Sequence, residues 1–312
     1  MPTSLVTGSA GFIGSHVVDN VLMMGHDVIA LDDLSGGFKE NINPKAKFIQ
    51  GSVEDNELVQ EIFEEYRFDY VYHLAAYAAE GLSHFIKRFN YSNNLLGCIN
   101  LINASVNSGI VKAFVFTSSI AVYGINQLPM AEELTPKPED PYGIAKYAVE
   151  LDLMESHEMF DLNYIIFRPH NVYGERQNIS DKYRNVIGIF MNNILQDKPM
   201  TIFGDGEQTR AFSYIEDIAP IIARSIERKA AYNQVYNIGA DTPYSINHLS
   251  REVARAMKAE AKVTYLDARK EVIHAFSSHA KINNHFGDLI KGVTLEDGLE
   301  KMTKWVRSQV PG

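Results

Sequence analysis

Short apolar runs alternate with longer amphipathic ones through the first half of the chain. "SLVTG", "DVIALDD", "KFIQG", "YVYHLAA", "AFVFTSS" and "NYIIFRP" are apolar almost without interruption. Such runs suit parallel strands covered on both faces. Between them lie helical patterns: "SHVVDNVLMMG" closed by Gly25, "NELVQEIFEEY", and a long stretch from about Phe85 to Ser108. Strand–helix–strand alternation with short connections predicts an α/β chain built on a doubly wound parallel sheet. The alternation loosens after Pro169. "KPMTIFGDGEQTRAFSYIEDI" and "NQVYNIGADTPYSINHLSREVARAM" read as strand–loop–helix pieces of a smaller C-terminal α/β lobe. "TLEDGLEKMTKWVRSQ" reads as a terminal amphipathic helix with Thr294 as its N-cap. The expected division is 1–168 and 169–312, with the chain crossing between the lobes.

Composition narrows the function classes. The chain has 312 residues and a hydrophobic fraction of 46%, enough for roughly two domains of ~150 residues. A formal net charge of -10, without a long basic run, speaks against a nucleic-acid partner. The single cysteine, Cys98, excludes an internal disulfide and suits a reducing cytoplasm. "MPTSLVTG" has no signal-peptide pattern, and no segment approaches the ~20 apolar residues of a membrane span.

Candidate chemistry begins at Gly8, Gly11 and Gly14, between the first apolar run and the first helix. There a dinucleotide pyrophosphate can approach the backbone more closely than a Cβ allows. A tight turn with close helix–strand packing would use the same glycines. Asp32 ends the second apolar run, at the spacing of a carboxylate that binds both ribose hydroxyls of NAD. No arginine follows in "LDDLSGG" to accept a 2′-phosphate, which favours NAD over NADP.

In "DPYGIAKYAVE", Tyr142 and Lys146 are four residues apart and share a face if the segment is helical. A phenol near its reference pKa of ~10 is a poor base at neutral pH, and a nearby ammonium favours the phenolate. The pair is therefore a sensible general acid/base unit. Thr117, Ser118 and Ser119 stand at the C-terminal end of a strand, where α/β folds bind ligands. No metal-ligand spacing is present, and His73 and His170 read as packing and hydrogen-bonding residues.

With "TGSAGFIG", "HLAA", "TSSIAVYG", "PYGIAK", "RPHNVYGERQ" and "IFGDGEQTRAFSYIEDI" in this order, the chain resembles the extended short-chain dehydrogenase/reductase family over nearly its whole length. It most resembles the nucleotide-sugar epimerases of the UDP-glucose 4-epimerase type. The resemblance implies a Rossmann-type fold and a catalytic set of Ser119, Tyr142 and Lys146. It places bound NAD against Gly8, Gly11, Phe12, Ile13, Gly14, Asp32, Asp33, Leu74, Ala75, Ala76, Asn94, Tyr142, Lys146 and Pro169. A UDP-sugar would meet Ser119, Tyr142, Asn171, Arg210, Arg269 and Ala275. The implied reaction is C4 inversion through a 4-keto sugar, with NAD regenerated. Homodimerisation through about Phe85–Ser108 and Tyr142–Phe160 is implied as well.

Departures from related patterns sharpen this. The 4,6-dehydratases carry an Asp–Glu pair after the catalytic hydroxyl, and related decarboxylases keep a Glu; here Ile120 and Ala121 stand there, and neither transfers a proton. Ser52 and Ala211 replace aspartates common in the family. Ala275 matches a position where a bulky Tyr restricts some epimerases to plain hexoses. A pocket admitting UDP-GlcNAc/UDP-GalNAc besides UDP-Glc/UDP-Gal is the expectation. A UDP-glucuronate 4-epimerase, another nucleotide-sugar oxidoreductase, or a non-catalytic NAD-binding sensor are the other readings.

Overall fold

The computed structural model describes residues 1–125, 127–268 and 274–309. Six strands alternate with helices as the apolar runs predict: β1 Thr3–Thr7, β2 Asp27–Asp32, β3 Lys47–Gln50, β4 Tyr70–His73, β5 Ala113–Thr117 and β6 Tyr164–Pro169. After them come β7 Val172–Tyr173, β8 Met200–Phe203, β9 Thr209–Ala211, β10 Ser213–Tyr214, β11 Gln234–Ile238, β12 Pro243–Ser245, β13 Val263–Leu266 and β14 His274–Ala275. The large sheet has the order β11-β6-β5-β4-β1-β2-β3, with every pairing parallel. The order reverses between β1 and β4, and α/β sheets bind ligands in the crevice at such a switch point.

Helices cover both faces of this sheet: α1 Phe12–Met23, α2 Asn56–Glu65, α3 Glu80–Ser83, α4 Lys87–Tyr91, α5 Gly97–Ser108 and α6 Pro141–Phe160. One core cluster joins Val17, Val18 and Val21 of α1 to Ile221 and Ile222 further along the chain. The other packs Val59, Ile62, Leu101, Val149 and Leu153 against the opposite face. Local chemistry sets the ends. Asp55 accepts from the Leu58 amide at 3.1 Å and caps α2, and Asp140 accepts from the Gly143 amide at 2.9 Å and opens α6, with Pro141 at its first position.

The stretch expected as one helix from about Phe85 to Ser108 runs helically from Lys87 to Ser108, with a π turn over Ser92–Leu96 between α4 and α5; such turns gather at functional sites. The "NQVYNIG" segment, expected in the smaller lobe, supplies β11 to the large sheet beside β6. Its residues from Tyr236 to Ile238 are buried on both faces, as a central-sheet strand requires.

The smaller lobe uses short pieces. β7 pairs with β10, β8 with β13, and β9 lies between β12 and β14. Helices α7 Val186–Leu195, α8 Ala219–Arg224, α9 Ile246–Ala256, α10 Ala280–Phe286 and α11 Leu295–Gln309 complete the chain. Thr294 caps α11, its Oγ1 accepting from the Asp297 amide at 3.1 Å. Among the described residues, no helix is long and apolar enough to cross a membrane.

Candidate active site

Gly8 follows β1 with φ +68°, a left-handed conformation that L side chains avoid. A Cβ there would lie 2.6 Å from the Ala75 amide nitrogen, and one at Gly14 would run into the Gly8 carbonyl oxygen. The glycines thus let β1, α1 and the segment after β4 meet with no side chain between them. Gly11 opens α1 without a side-chain cap, so the first-turn amides of Phe12, Ile13 and Gly14 are available to an anion. Leu74, Ala75 and Ala76, half-buried, form the opposite wall of this crevice at the end of β4.

Asp32 closes the crevice on the other side. It is 8% exposed; its Oδ2 accepts from the Ala10 amide at 3.0 Å and its Oδ1 from the Leu34 amide at 2.8 Å. Burial raises its carboxyl pKa, against those two hydrogen bonds. Asp33 is exposed and caps its own turn through the Ser35 amide at 2.8 Å. At the ends of β1 and β5, the buried Ser9 and Thr117 hydroxyls have no hydrogen-bond partner among the described residues. Buried polar atoms of this kind are what a bound ligand satisfies. Together with the glycine cradle and the uncapped helix, they fit a dinucleotide.

Ser119, Tyr142 and Lys146 come together beyond β5. Ser119 Oγ accepts from the Ala121 amide at 3.1 Å, and its hydroxyl acts on the Tyr142 phenol in the direction that favours the phenolate. Lys146 is 2% exposed. Its Nζ donates to the Thr117 carbonyl at 2.8 Å and lies 5.9 Å from the Tyr142 ring centroid. Burial, then the Glu80 carboxylate, pushes the Tyr142 phenol well above its usual range, and the Ser119 hydroxyl opposes this. Burial lowers Lys146 to about 8.

Asn94 sits on the π turn, fully buried. It accepts from the Tyr77 amide at 2.8 Å, donates to the Tyr77 carbonyl at 3.2 Å and donates to Asn90 Oδ1 at 2.8 Å. Asn90 in turn donates to the Pro141 carbonyl at 2.8 Å. The two asparagines therefore tie the loop after β4 to the first turn of the Tyr142 helix. Cys98 is buried on α5, and burial pushes its thiol up.

Pro169 ends β6, and Asn171 follows with φ +40°, donating to the Ala211 carbonyl at 3.0 Å. Arg210 lies in β9, opposite Ala275 of β14. Ala275 is 8% exposed. Arg269 lies outside the described residues.

Two polar clusters escaped the sequence reading. Glu150 is four residues beyond Lys146 on α6, fully buried, and holds Arg168 at 2.5 and 3.0 Å and the Ser118 hydroxyl at 2.5 Å. Arg168 also donates to Tyr123 Oη at 2.7 Å, and Tyr123 donates to Asn237 Oδ1 at 2.9 Å. A carboxylate on the buried stripe of a helix was the available signal for Glu150. The second cluster joins His170 to His279 and Asp241. No local pattern could show it, since its members are far apart in sequence.

The model of the NAD dependent epimerase/dehydratase family matches residues 4–239. A putative UDP-glucose 4-epimerase of Methanocaldococcus jannaschii is 33% identical over 306 residues, covering 97% of this chain and 98% of that protein. The solved UDP-glucose 4-epimerase of Thermotoga maritima, with UDP-glucose, superposes with a TM-score of 0.93 at 34% identity, covering 98% of this chain and 99% of its own. A UDP-N-acetylglucosamine 4-epimerase of Methanobrevibacter ruminantium, in complex with UDP-N-acetylmuramic acid, superposes at 0.91 and 32% identity, covering 99% of both chains.

Proposed function

The chain belongs to the NAD-dependent epimerase/dehydratase family, and from that premise we propose that it inverts C4 of UDP-hexoses through a 4-keto sugar. It is an NAD-dependent nucleotide-sugar 4-epimerase; the finer assignment concerns base, sugar and residues. The observation that carries it is the gathering of Ser119, the buried Tyr142 phenol and the buried Lys146 ammonium beyond β5, followed by Ile120 and Ala121. With no proton-transferring side chain at those two positions, the site can move a proton at O4 but has none there to expel water across C5–C6.

Tyr142 is the base for the O4 proton and returns it after the ketone has turned over. Ser119 passes the proton to the phenol. Lys146, fixed by the Thr117 carbonyl, orients the sugar-facing end of the dinucleotide site. Gly8, Gly11, Phe12, Ile13, Gly14, Asp32 and Asp33 would hold the adenosine and pyrophosphate of NAD. Leu74, Ala75, Ala76, Asn94 and Pro169 would bound its nicotinamide half. The chemistry that bound NAD supplies is reversible hydride acceptance from C4. Asn171, Arg210 and Arg269 would grip the UDP diphosphate, arginine through its fork of donors. Ala275, small and buried on β14, leaves room for an acetamide at C2.

The outer faces of α5 and α6 support a homodimer. Leu96 of the π turn before α5, and Ile144 and Leu151 of α6, are exposed at 56%, 42% and 46%, and a second copy would cover them. A cytoplasmic setting is consistent with the one reduced, buried cysteine.

Incubating the purified chain with UDP-galactose, UDP-GalNAc and UDP-glucuronate, and reading C4 configuration by NMR, tests the proposal. UDP-glucose and UDP-GlcNAc are the expected products. Tyr142→Phe should cut turnover about 10³-fold while NAD stays bound. Conversion of UDP-glucuronate alone would overturn the sugar assignment.

A further inference from the structure

His170, His279 and Asp241 form a chain of polar contacts at the edge of the substrate lobe. Both imidazoles are 2% exposed, whereas the Asp241 side chain is 69% exposed. His170 Nδ1 lies 3.2 Å from the Ala211 carbonyl oxygen. The two Nε2 atoms lie 3.0 Å apart. His279 Nδ1 lies 2.6 Å from Asp241 Oδ1, and the Ser277 hydroxyl is 3.0 Å from His279 Nε2.

These contacts fix the number of protons. A carbonyl only accepts, so His170 Nδ1 carries a proton. The Asp241 carboxylate accepts, so His279 Nδ1 carries another. The contact between the Nε2 atoms needs a third. Two neutral imidazoles hold two protons in all, so three protons make one ring an imidazolium. Burial, with His279 beside it, pushes His170 down to about 3. The Asp241 carboxylate, 2.6 Å from His279 Nδ1, is the counter-charge in this chain of contacts, which places the extra proton on the His279 ring. His170 is left neutral, donating from Nδ1 and accepting at Nε2. The titratable groups acting on His170 are His279 and Asp241; the Ser277 hydroxyl and the Ala211 carbonyl are the neutral neighbours, and Arg210 adjoins Ala211 in β9.

The chain ends on the strand the nucleotide sugar needs. Ala211 follows Arg210, and its carbonyl takes both the His170 and the Asn171 donors. Ser213 donates to the His170 carbonyl at 3.0 Å and accepts from the Ala240 amide at 3.0 Å. Gly239 lets the chain pass, since a Cβ there would strike His170. The segments bearing Asn171, Arg210 and Asp241 are thus fastened at one point. Ala211, where the family commonly has an aspartate, serves this through its backbone.

We propose that Asp241, His279 and His170 are positioning residues: a three-proton, singly charged clasp that holds Arg210 and Asn171 in register for the diphosphate, resting on the assignment of those two residues above. Losing the third proton leaves two lone pairs facing each other across the Nε2 contact. The clasp opens, β9 loosens, and UDP binds more weakly.

The test uses the full chain with its NAD and unlabelled UDP as the probe. Nitrogen-15 NMR of the imidazoles at pH 7.5 should show one ring protonated on both nitrogens and one protonated on Nδ1 alone. Asp241→Asn should remove the third proton and raise the Kd for UDP about five- to tenfold, with kcat within twofold, and Asp241→Glu should recover both. Two neutral rings in the wild type, or an Asp241→Asn variant that binds UDP as tightly as the wild type, overturn the clasp. Three protons in a wild type that binds no UDP would overturn the nucleotide-sugar assignment and with it the positioning role, while leaving the charged pair intact.

Discussion

The dinucleotide crevice and the substrate lobe are held together by different means. The crevice is backbone against backbone: β1, α1 and the end of β4 touch through glycines, on a seven-stranded sheet whose core is continuous on both faces. The lobe that would take the sugar nucleotide rests on strands of two to four residues, β7 to β10 and β12 to β14. Segments that short bury little surface of their own, so side-chain ties help to fix them. Two ion pairs, one between α6 and β6 of the large sheet and one in the lobe, differ in their access to water. The Glu150–Arg168 pair joins the Tyr142 helix to β6 with side chains 0% and 3% exposed. The Asp241–His279 pair has one end in solvent. A wholly buried ion pair holds a permanent joint, whereas a half-exposed one can exchange its proton.

Breaking the buried tie should have the largest effect. Glu150→Gln leaves the Arg168 guanidinium without its counter-charge in a dry site, costing about 4 kcal/mol of stability. It should also release the Ser118 hydroxyl beside Ser119. Denaturant unfolding measures the first effect. A variant as stable as the wild type would mean that the joint between α6 and β6 does not depend on this pair.

The backbone side of the comparison is tested at Gly14. In Gly14→Ala the new methyl meets the Gly8 carbonyl, and backbone cannot move aside as a side chain can. A cost of about 3 kcal/mol corresponds to about 100-fold weaker NAD binding. Calorimetric titration with NAD checks this. Unchanged affinity would show that the crevice is not shaped by close backbone approach.

The same contrast decides how much could be read in the sequence. The crevice was legible because its parts are local: three glycines within seven residues and an aspartate at the end of the next strand. Tyr142 and Lys146 were legible because one helical turn separates them. The lobe was less so. "NQVYNIG" reads as a strand, but its place beside β6 depends on pairing across some seventy residues of chain. The π turn after Tyr91 has no Pro or Gly to mark it, since Asn90 and Asn94 act through tertiary contacts with Pro141 and Tyr77. The His170–His279–Asp241 chain left no trace because each member alone is an ordinary loop residue. What the spacing could not show is the burial of both groups, which raises the Tyr142 phenol and lowers Lys146.

Within the lobe, Ala275 offers a milder test. A ring introduced by Ala275→Tyr would occupy the space proposed for a C2 acetamide, beside the strand of Arg210. Conversion of UDP-GalNAc should fall about tenfold in kcat/KM relative to UDP-galactose. Parallel losses on both substrates would indicate a displaced β9 in place of a filled pocket.

The smallest expected effect lies back at the crevice, in the charge around Tyr142. Glu80 is the charged group that most raises the phenol, after burial itself. Asp140 raises it as well, but that carboxylate also caps α6, so its removal would disturb the helix. Glu80→Gln removes a negative charge while keeping the size of the side chain. A negative neighbour disfavours the phenolate, so its loss lowers the pKa of Tyr142. Below that pKa the phenolate fraction rises as the pKa falls, so kcat/KM near neutral pH should increase. A shift of about half a unit corresponds to roughly a threefold gain. The gain should hold at each pH along the rising limb of the profile. A profile that does not move would mean that the phenol is governed by burial and by Ser119 alone.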